Sequence, residues 1–369
     1  MASAEAEVAA LTGRAPVEII ERGARSRWWR RLGSKSRGFR YEDARGRPVK
    51  GEDALARIAS LVIPPAWRDV WISPNASAKL QATGLDRAGR RQYLYHPAYR
   101  AAQEQAKYER LVRFGELLPG LRARVGEHFE LGPYEEEWVC ALAVTLINRA
   151  WFRVGTDRYA KIGRTYGITT LTKRHAAVRG SRLVFSFRSK HKAVIRTTVI
   201  DAQLAQSIKA LLQLPGGSRL FRFERGGAVV NLTAPVLNAY LAEHLGEGFT
   251  AKDFRTWGGT LNAAIALAEY GPPSSETDAK RVLAAVMRRV GAELGNTPAV
   301  ARASYVSPAV IEQYRDGRTL EDFRPRKQRV VSAQAHGLDP EERALLSLLR
   351  SWRIRRAQSV SDDEIGIAA

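Results

Sequence analysis

The chain has 369 residues, and its 59 Lys and Arg against 38 Asp and Glu give a formal net charge of +21. With 45% hydrophobic and 26% charged residues, the composition is typical of a folded protein and excludes a disordered one. The single cysteine, Cys140, excludes an intrachain disulfide framework and a cysteine-rich zinc site, and its apolar neighbours predict a buried thiol. Because clustered Lys and Arg attract polyanions, we expect a nucleic acid partner first and an anionic membrane surface second.

The sequence carries no recognisable targeting or membrane segment. Residues 1–11 include Glu5 and Glu7 and lack an apolar stretch, so we expect no secretory signal. The longest apolar runs, such as residues 139–147, are far shorter than the ~18 residues of a membrane-spanning helix. These features predict a soluble, intracellular protein.

Residues 1–40 are predicted to form an irregular basic arm around Trp28 and Trp29. An arm of this kind can follow a phosphate backbone, and the alternative is a mobile, solubilising tail. Two exposed indoles would be a liability in a free tail, which favours docking. The basic residues of the arm are Arg22, Arg25, Arg27, Arg30, Arg31, Lys35, Arg37 and Arg40.

Residues 41–100 are predicted to form a small, mainly β lobe with one helix near residues 51–61, because short segments alternate with turn signals. The segment GRRQYLY at 89–95 would place Arg91, Tyr93 and Tyr95 on one face of a strand. Arginines suit phosphates, whereas tyrosines and the Gln92 amide suit sugars or bases. An ordinary half-buried strand is the alternative interpretation.

Residues 101–322 are predicted to form a larger helical domain with one β insertion. Acidic residues 135–137 favour a helix start, and Gly155 favours its end near residues 153–155. A hairpin over residues 182–200 would carry a basic tip at 189–192. Further helices are expected around residues 234–245, 254–270, 278–294 and 308–315.

Residues 323–369 are predicted to form a basic C-terminal tail with one short amphipathic helix. The basic run at 324–329 opens this tail, and apolar residues at 345, 348, 349 and 352 follow at helical spacing. Together these segments predict an α+β fold.

The motifs of several enzyme classes are missing from the sequence. It has no G-x-x-x-x-G-K-[ST] loop, no H-E-x-x-H and no cluster of aspartates, so ATP hydrolysis and metal-dependent nuclease chemistry lack support. What remains is a dispersed set of polar residues at the ends of predicted elements. Taken singly, each has an ordinary structural explanation; Thr297 and Pro298, for example, are typical of a helix start.

In their order and spacing these segments resemble the type IB DNA topoisomerases, especially the small poxvirus-like form found in bacteria. FRVGTDRY at 152–159 resembles the family's R-x-G-x-x-x-Y segment, and GITTL at 167–171 resembles the stretch that follows it. Lys190 stands where the family has a hairpin lysine, although Ser189 replaces the usual glycine. KDFRTWG at 252–258 and LGNTP at 294–298, followed by Tyr305, are similar to the two later boxes.

The resemblance implies an ATP- and metal-independent enzyme without a cofactor, which relaxes supercoiled DNA through a 3′-phosphotyrosyl intermediate. It implies that Tyr305 is the nucleophile. Arg153 and Arg255, the latter at a helix start, would stabilise the charge on the reacting phosphate. Lys190 would protonate the leaving 5′ oxygen. Asn296, where many members have histidine, would donate a hydrogen bond to a phosphate oxygen.

The resemblance also implies duplex DNA, preferably supercoiled, as the partner of a monomer that clamps it. The protein would then lie in the cytoplasm with the nucleoid of a bacterium. Seven residues are expected to contact DNA: Arg90, Arg91, Gln92, Tyr93, Tyr95, Arg158 and Tyr159.

Two other classes remain possible from the sequence. A tyrosine site-specific recombinase would use similar residues, but it normally has histidine three residues before the second arginine, where this chain has Lys252. The β lobe also favours a topoisomerase over a recombinase. A non-catalytic architectural DNA-binding protein is disfavoured because all five candidate catalytic positions hold competent residues.

Overall fold

The computed structural model describes residues 27–190, 193–324 and 336–366. The chain divides into two compact units, the first ending at Lys107 and the second beginning at Tyr108. No helix within the described ranges is long and apolar enough to cross a membrane. The predicted α+β class is confirmed, since a small sheet dominates the first unit and helices dominate the second.

The first unit is an antiparallel five-stranded sheet with one helix, α1 (Glu52–Ser60). Its strands are β1 (Trp29–Ser34), β2 (Gly38–Glu42), β3 (Arg68–Ile72), β4 (Leu80–Leu85) and β5 (Arg91–Tyr95), in the order β2-β1-β3-β4-β5. Among the described residues of this unit, the core consists of four buried apolar side chains: Ile58, Val70, Ile72 and Ala82. The helix expected near residues 51–61 is confirmed.

The expectation of an irregular arm through residue 40 was wrong for its second part. β1 and β2 pair with each other, and β1 also pairs with β3, so residues 29–40 belong to the sheet. Arg31 is almost fully buried, and its guanidinium donates to the carbonyls of Pro64 and Trp67 at 3.1 and 2.8 Å. Arg22 and Arg25, which were assigned to the same arm, lie outside the described residues.

The second unit is built mainly of helices. α2 (Pro97–His128) runs from the first unit into the second. It is followed by α3 (Glu136–Ala150), α4 (Asp157–Gly163), α5 (Ala202–Gln213), α6 (Ala234–Leu245), α7 (Ala251–Tyr270), α8 (Glu276–Glu293), α9 (Pro298–Ser304), α10 (Pro308–Arg315) and α11 (Pro340–Gly366). The four helices expected between residues 234 and 315 are confirmed, with α7 beginning three residues earlier than predicted.

α3 ends earlier than expected, and the reason bears on the site. Its last residue is Ala150, and Trp151 adopts the left-handed conformation, with φ of 50°. Gly155 therefore does not end this helix, although its φ of 87° serves a close backbone approach described below. Cys140 is buried within α3 as predicted, and burial raises the pKa of its thiol to about 12.

The β insertion is larger than the predicted hairpin. β6 (Ala176–Arg179), β7 (Arg182–Arg188) and β8 (Val194–Ile200) form a three-stranded antiparallel sheet in that order. A separate hairpin joins β9 (Arg222–Arg225) to β10 (Ala228–Asn231). Along β7 the alternate residues Leu183, Phe185 and Phe187 are buried, which confirms the period-2 pattern expected there.

The C-terminal segment is not a tail where the structure describes it. α11 packs into the main core, where Leu345, Leu348 and Leu349 are almost fully buried. The buried Glu342 carboxylate accepts two hydrogen bonds from Arg122, at 2.7 and 2.8 Å, and one from the indole of Trp257 at 3.2 Å. The helix is therefore part of the second unit, while most of the basic run at 324–329 lies outside the described residues.

Candidate active site

Arg153 is held by a close crossing of two backbone segments. Its carbonyl accepts a hydrogen bond from the Ile168 amide at 2.7 Å. A Cβ on Gly167 would lie 2.4 Å from that carbonyl oxygen, and one on Gly155 would lie 2.9 Å from the Cα of Gly167. Only glycine fits at both positions, which explains why the two glycine-containing segments occur together.

The Arg153 guanidinium is half-buried and has three acceptors from two regions of the chain. Nη1 donates to the Ser189 hydroxyl at 3.1 Å, and Nη2 donates to Asn296 Oδ1 at 2.7 Å and to the Gly295 carbonyl at 3.1 Å. Burial and the nearby charge of Arg255 lower the pKa of Arg153 to about 10, so it stays protonated at neutral pH.

Arg255 lies in the second turn of α7, not at its start, since Thr250 is the N-cap. The expected placement of Arg255 at a helix start was therefore wrong. The side chain is 5% exposed and donates to the carbonyls of Trp151 and Leu294, the latter at 2.7 Å. Its Nε is buried and has no hydrogen-bond partner among the described residues. An unpartnered cationic donor in this position is suited to a bound anion.

Tyr305 follows the short helix α9 and lies beside Arg255. The Arg255 guanidinium is 5.0 Å from the centre of the phenol ring. Burial alone would raise the pKa of Tyr305, but the charge and hydrogen bond of Arg255, together with the charges of Arg153 and Lys252, outweigh it and lower the pKa below its usual value. The site therefore favours ionisation of this hydroxyl.

The backbone of Tyr305 is fixed by a buried threonine on the same helix as Arg255. The Thr260 hydroxyl donates to the Tyr305 carbonyl at 3.0 Å and accepts from the Ser307 amide at 3.1 Å. Thr260 is fully buried. Because α7 carries both Arg255 and Thr260, one helix sets the position of a guanidinium and of the phenol-bearing segment.

Asn296 contacts Arg153 rather than standing free. Its Oδ1 accepts from Arg153, and its Nδ2 donates to the Leu294 carbonyl at 3.2 Å, the same carbonyl that accepts from Arg255. The structure therefore brings Arg153, Arg255, Asn296 and Tyr305 together.

Lys190 lies at the tip between β7 and β8, and its side chain is exposed. The preceding residue, Ser189, is the one that contacts Arg153. His191 and Lys192, the other basic residues of the predicted tip, lie outside the described residues. Lys190 is thus next to the site along the chain, and no contact of its ammonium with the phenol or the guanidiniums is described.

The hydrogen bonds that the structure gives to Arg153 and Arg255 all involve neutral groups. Backbone carbonyls, the hydroxyls of Ser189 and Tyr305 and the Asn296 amide accept them, and no carboxylate of the described residues forms an ion pair with either guanidinium. Within the same ranges, no group of three or more His, Cys, Asp or Glu is placed to hold a metal ion. The site thus concentrates positive charge that its protein partners leave uncompensated.

The residues expected to contact DNA in the first unit lie on and beside β5. Arg90 pairs with Asp86 at 2.7 Å, and the Gln92 amide donates to the same carboxylate at 3.0 Å. Arg91 pairs with Asp69 at 3.3 Å. On the same strand the rings of Tyr93 and Tyr95 are stacked with centroids 6.3 Å apart, which confirms that they share a face. All five expected residues therefore cluster around one strand.

Arg158 and Tyr159, the remaining expected DNA contacts, lie on α4. Both side chains are exposed, and Tyr159 retains 53% of its accessible surface. No residue of α4 is buried. This helix presents a basic and aromatic surface four to ten residues after Arg153 in the chain.

Comparison with known proteins assigns the family. The family model for the catalytic core of eukaryotic DNA topoisomerase I matches residues 96–331, and that for the N-terminal domain of bacterial DNA topoisomerase IB matches residues 38–86. DNA topoisomerase 1B of Acanthamoeba polyphaga mimivirus is 30% identical over 270 residues, covering 71% of this chain and 80% of the relative. DNA topoisomerase 1B of vaccinia virus (strain Copenhagen) is 22% identical over 252 residues, covering 67% and 76%.

The chain belongs to the type IB DNA topoisomerases. It is therefore an isomerase that acts on DNA, and the resemblance noted in the sequence is confirmed. The match to the bacterial N-terminal domain fits a bacterial form of the enzyme. This assignment replaces the recombinase and the architectural protein that the sequence alone left open.

Sequence reasoning missed three residues of this topoisomerase site. Thr260 gives no signal beyond its position five residues after Arg255, on the other side of a glycine pair. Trp151 contributes a carbonyl, which no side-chain motif can reveal. In the sequence, Ser189 is visible only as a departure from glycine. Nothing there shows that its hydroxyl accepts a hydrogen bond from Arg153.

Proposed function

We propose that this chain relaxes supercoiled duplex DNA without ATP or a metal ion, by cutting and rejoining one strand. In the cutting step, Tyr305 Oη gives its proton to water and attacks the phosphorus of a phosphodiester, while the bond from phosphorus to the 5′ oxygen breaks. The product is a 3′-phosphotyrosyl link and a free 5′ hydroxyl. Rotation of the free end changes the linking number, and the reverse step reseals the strand. The covalent link conserves the energy of the bond, so no nucleotide is needed.

The observation that carries this proposal is the buried, unpartnered Nε of Arg255 beside the Tyr305 ring. A buried cationic donor without a partner costs free energy, and a non-bridging phosphate oxygen would satisfy it. Negative charge grows on these oxygens as the phenol attacks. A donor fixed before the reaction stabilises this charge without having to reorganise.

Arg153 is the second cation assigned to the phosphate. Its guanidinium has five N–H donors, and its described contacts leave donors available for an anion. The pKa of Tyr305, lowered chiefly by Arg255 against the effect of burial, supports its role as the nucleophile. Asn296 is assigned a supporting part, with its amide near the phosphate and its Oδ1 on Arg153.

Lys190 is assigned the role of general acid. As the P–O bond breaks, its ammonium would transfer a proton to the departing 5′ oxygen, and it would take the proton back during resealing. Its exposed position on a hairpin tip is compatible with a side chain that reaches into bound DNA. No metal or nucleotide enters this scheme.

The first unit and α4 are assigned to binding of the duplex by a monomer. Arginines around β5 would contact phosphates, while Gln92 and the stacked tyrosines would reach sugars or bases. Arg158 and Tyr159 would add contacts next to the reacting phosphate. The preference for supercoiled over relaxed DNA belongs to this proposal.

Relaxation of a supercoiled plasmid in EDTA without ATP tests the proposal. We expect the wild-type chain to give a ladder of topoisomers, and Tyr305→Phe to bind DNA without forming a covalent complex. Phe keeps the ring that packs near Arg255 and removes only the attacking oxygen. A covalent protein–DNA complex in Tyr305→Phe, or relaxation that requires ATP or Mg²⁺, would overturn it.

A further inference from the structure

We propose that Ser189 is a positioning residue that docks the root of the Lys190 hairpin on Arg153 before DNA binds. The inference rests on the proposed function, because it takes Lys190 as the general acid. It assigns a purpose to the residue that stands where the family usually has glycine.

The first support is the sharp change in exposure along the hairpin tip. Ser189 is 2% exposed, whereas the neighbouring Lys190 is exposed. The Ser189 amide donates to the Ala193 carbonyl at 2.7 Å, which closes the turn around the lysine. The root of the tip is therefore fixed, while the lysine side chain is exposed to solvent.

The second support is the hydrogen bond between Ser189 and the active site. Its hydroxyl accepts from Arg153 Nη1 at 3.1 Å. The donor is a cation, and hydrogen bonds to charged groups are stronger than those between neutral groups. A glycine in this place would lose the bond and would also increase the backbone freedom of the turn.

The third support is the close approach of the loop before Tyr305 to the start of β8, the second strand of the hairpin. Gly295, next to Asn296, lies so close to β8 and its start that a Cβ there would be 3.3 Å from Ile195 Cδ1 and 4.0 Å from Ala193 Cβ. Arg153 donates to Ser189 on one side and to Gly295 and Asn296 on the other. Its guanidinium thus joins the hairpin root to the loop that leads to Tyr305.

The consequence is a hairpin whose lysine starts near its working position. Ordering of a mobile segment on binding costs conformational entropy, and a docked root reduces that cost. Loss of the Ser189 hydroxyl should therefore slow the step in which Lys190 supplies a proton. It should leave a reaction that needs no proton nearly unchanged.

Single-turnover cleavage with two substrates tests this inference. One substrate has the natural 5′ oxygen at the scissile phosphate, and the other has a 5′ sulfur, which departs as a thiolate without a proton. For Ser189→Ala we expect cleavage of the oxygen substrate to slow by about tenfold and cleavage of the sulfur substrate to stay within about twofold of wild type. Ser189→Gly should behave alike, and Ser189→Thr, which keeps the hydroxyl, should recover part of the rate.

Two controls make the outcome specific. Ser186→Ala removes an exposed hydroxyl from the same strand, β7, and should leave both rates unchanged. Lys190→Ala should be slow with oxygen and rescued by sulfur; if sulfur does not rescue it, the assignment of the acid fails and the inference fails with it. If Lys190→Ala is rescued but Ser189→Ala is equally slow on both substrates, or not slow at all, the inference alone is overturned.

Discussion

Two arginines beside β5 and the two arginines of the active site have different kinds of partner. Arg90 and Arg91 are partly exposed, and each lies beside a carboxylate, Asp86 or Asp69. Arg153 and Arg255 are more buried and bond only to neutral groups in the described chain. Beside β5 the charge of these two arginines is offset by carboxylates of the protein, whereas in the active site no described carboxylate offsets it.

This contrast refines the meaning of the net charge of +21. A guanidinium paired with a carboxylate contributes mainly to local structure, and an exposed pair of this kind is worth only ~0–1 kcal/mol. A buried guanidinium without a counter-charge is costly, and it persists because carbonyls hold it in place. Such a site gains most from a phosphate. The position and pairing of the arginines therefore matter more than their number.

Glu342→Ala should cause the largest loss of stability. It would leave Arg122 without a counter-charge at a place where no phosphate is expected to bind. The variant strips Arg122 of both carboxylate contacts and Trp257 of its acceptor. Breaking a buried pair in this way costs about 3–5 kcal/mol in the free energy of unfolding. Urea denaturation measures this loss of stability. The control is Glu269→Ala, which breaks the exposed ion pair with Arg289. Equal losses in the two variants would contradict the contrast.

Arg255→Ala removes an uncompensated charge from the active site. We expect the rate of single-turnover cleavage to fall by about 10²–10³, as for loss of a fixed transition-state donor, because Nε and the guanidinium charge are both lost. Arg90→Ala, at a compensated position, is the matched control and should change cleavage at saturating DNA far less. Similar losses for the two variants would show that burial and pairing do not separate the two groups.

The ionisation of Tyr305 gives a more sensitive measure of the same charges. Burial raises the pKa of Tyr305. The opposing effect of Arg255, followed by those of Arg153 and Lys252, is larger, so the net shift of the pKa is downward. Without Arg255, less charge opposes the effect of burial, so the pKa of Tyr305 should rise in Arg255→Ala. The limb of the profile in which the cleavage rate rises with pH should therefore move to higher pH. NMR of tyrosine labelled at Cζ follows this titration directly. An unchanged or lower pKa in the variant would contradict the assigned electrostatics.

Asp69→Asn should have the smallest effect, because it only removes the negative charge that offsets Arg91 in the first unit. The change weakens the contact of a carboxylate with Arg91 and leaves an amide that can still accept from Trp71. We expect the stability to change by less than about 1 kcal/mol. DNA affinity should rise slightly, and the slope of log affinity against log salt should steepen by up to about 0.9 if one phosphate contact is gained. Weaker DNA binding would argue that Asp69 itself serves the interface.

The sequence predicted the parts of this molecule that depend on local pattern. The alternation along β7 and the starts of α6 and α10 were readable because period and capping residues fix them locally. The five candidate catalytic residues were found through motif order. Four of them meet in the structure, and Lys190 lies one residue from the contact at Ser189.

The remaining features depend on tertiary contacts that no local pattern encodes. The sequence of β1 resembles a basic arm, yet the strand pairs with β3, and its Arg31 donates to carbonyls more than thirty residues away. α11 reads as part of a tail, yet its apolar face meets the main core. Trp151, rather than the glycine nearby, takes the left-handed conformation that ends α3. In each case a long-range partner outweighs the local preference.

Single-turnover cleavage by Asn296→Asp tests the central claim most directly. Aspartate has nearly the shape of asparagine and can still accept a hydrogen bond from Arg153 Nη2, which lies 2.7 Å from Asn296 Oδ1 in the wild-type chain. Unlike asparagine, it adds the counter-charge that the site lacks. If the uncompensated charge of Arg153 drives the chemistry, the cleavage rate should fall by about tenfold or more, with DNA affinity close to wild type. A variant that cleaves as fast as the wild type would contradict the account.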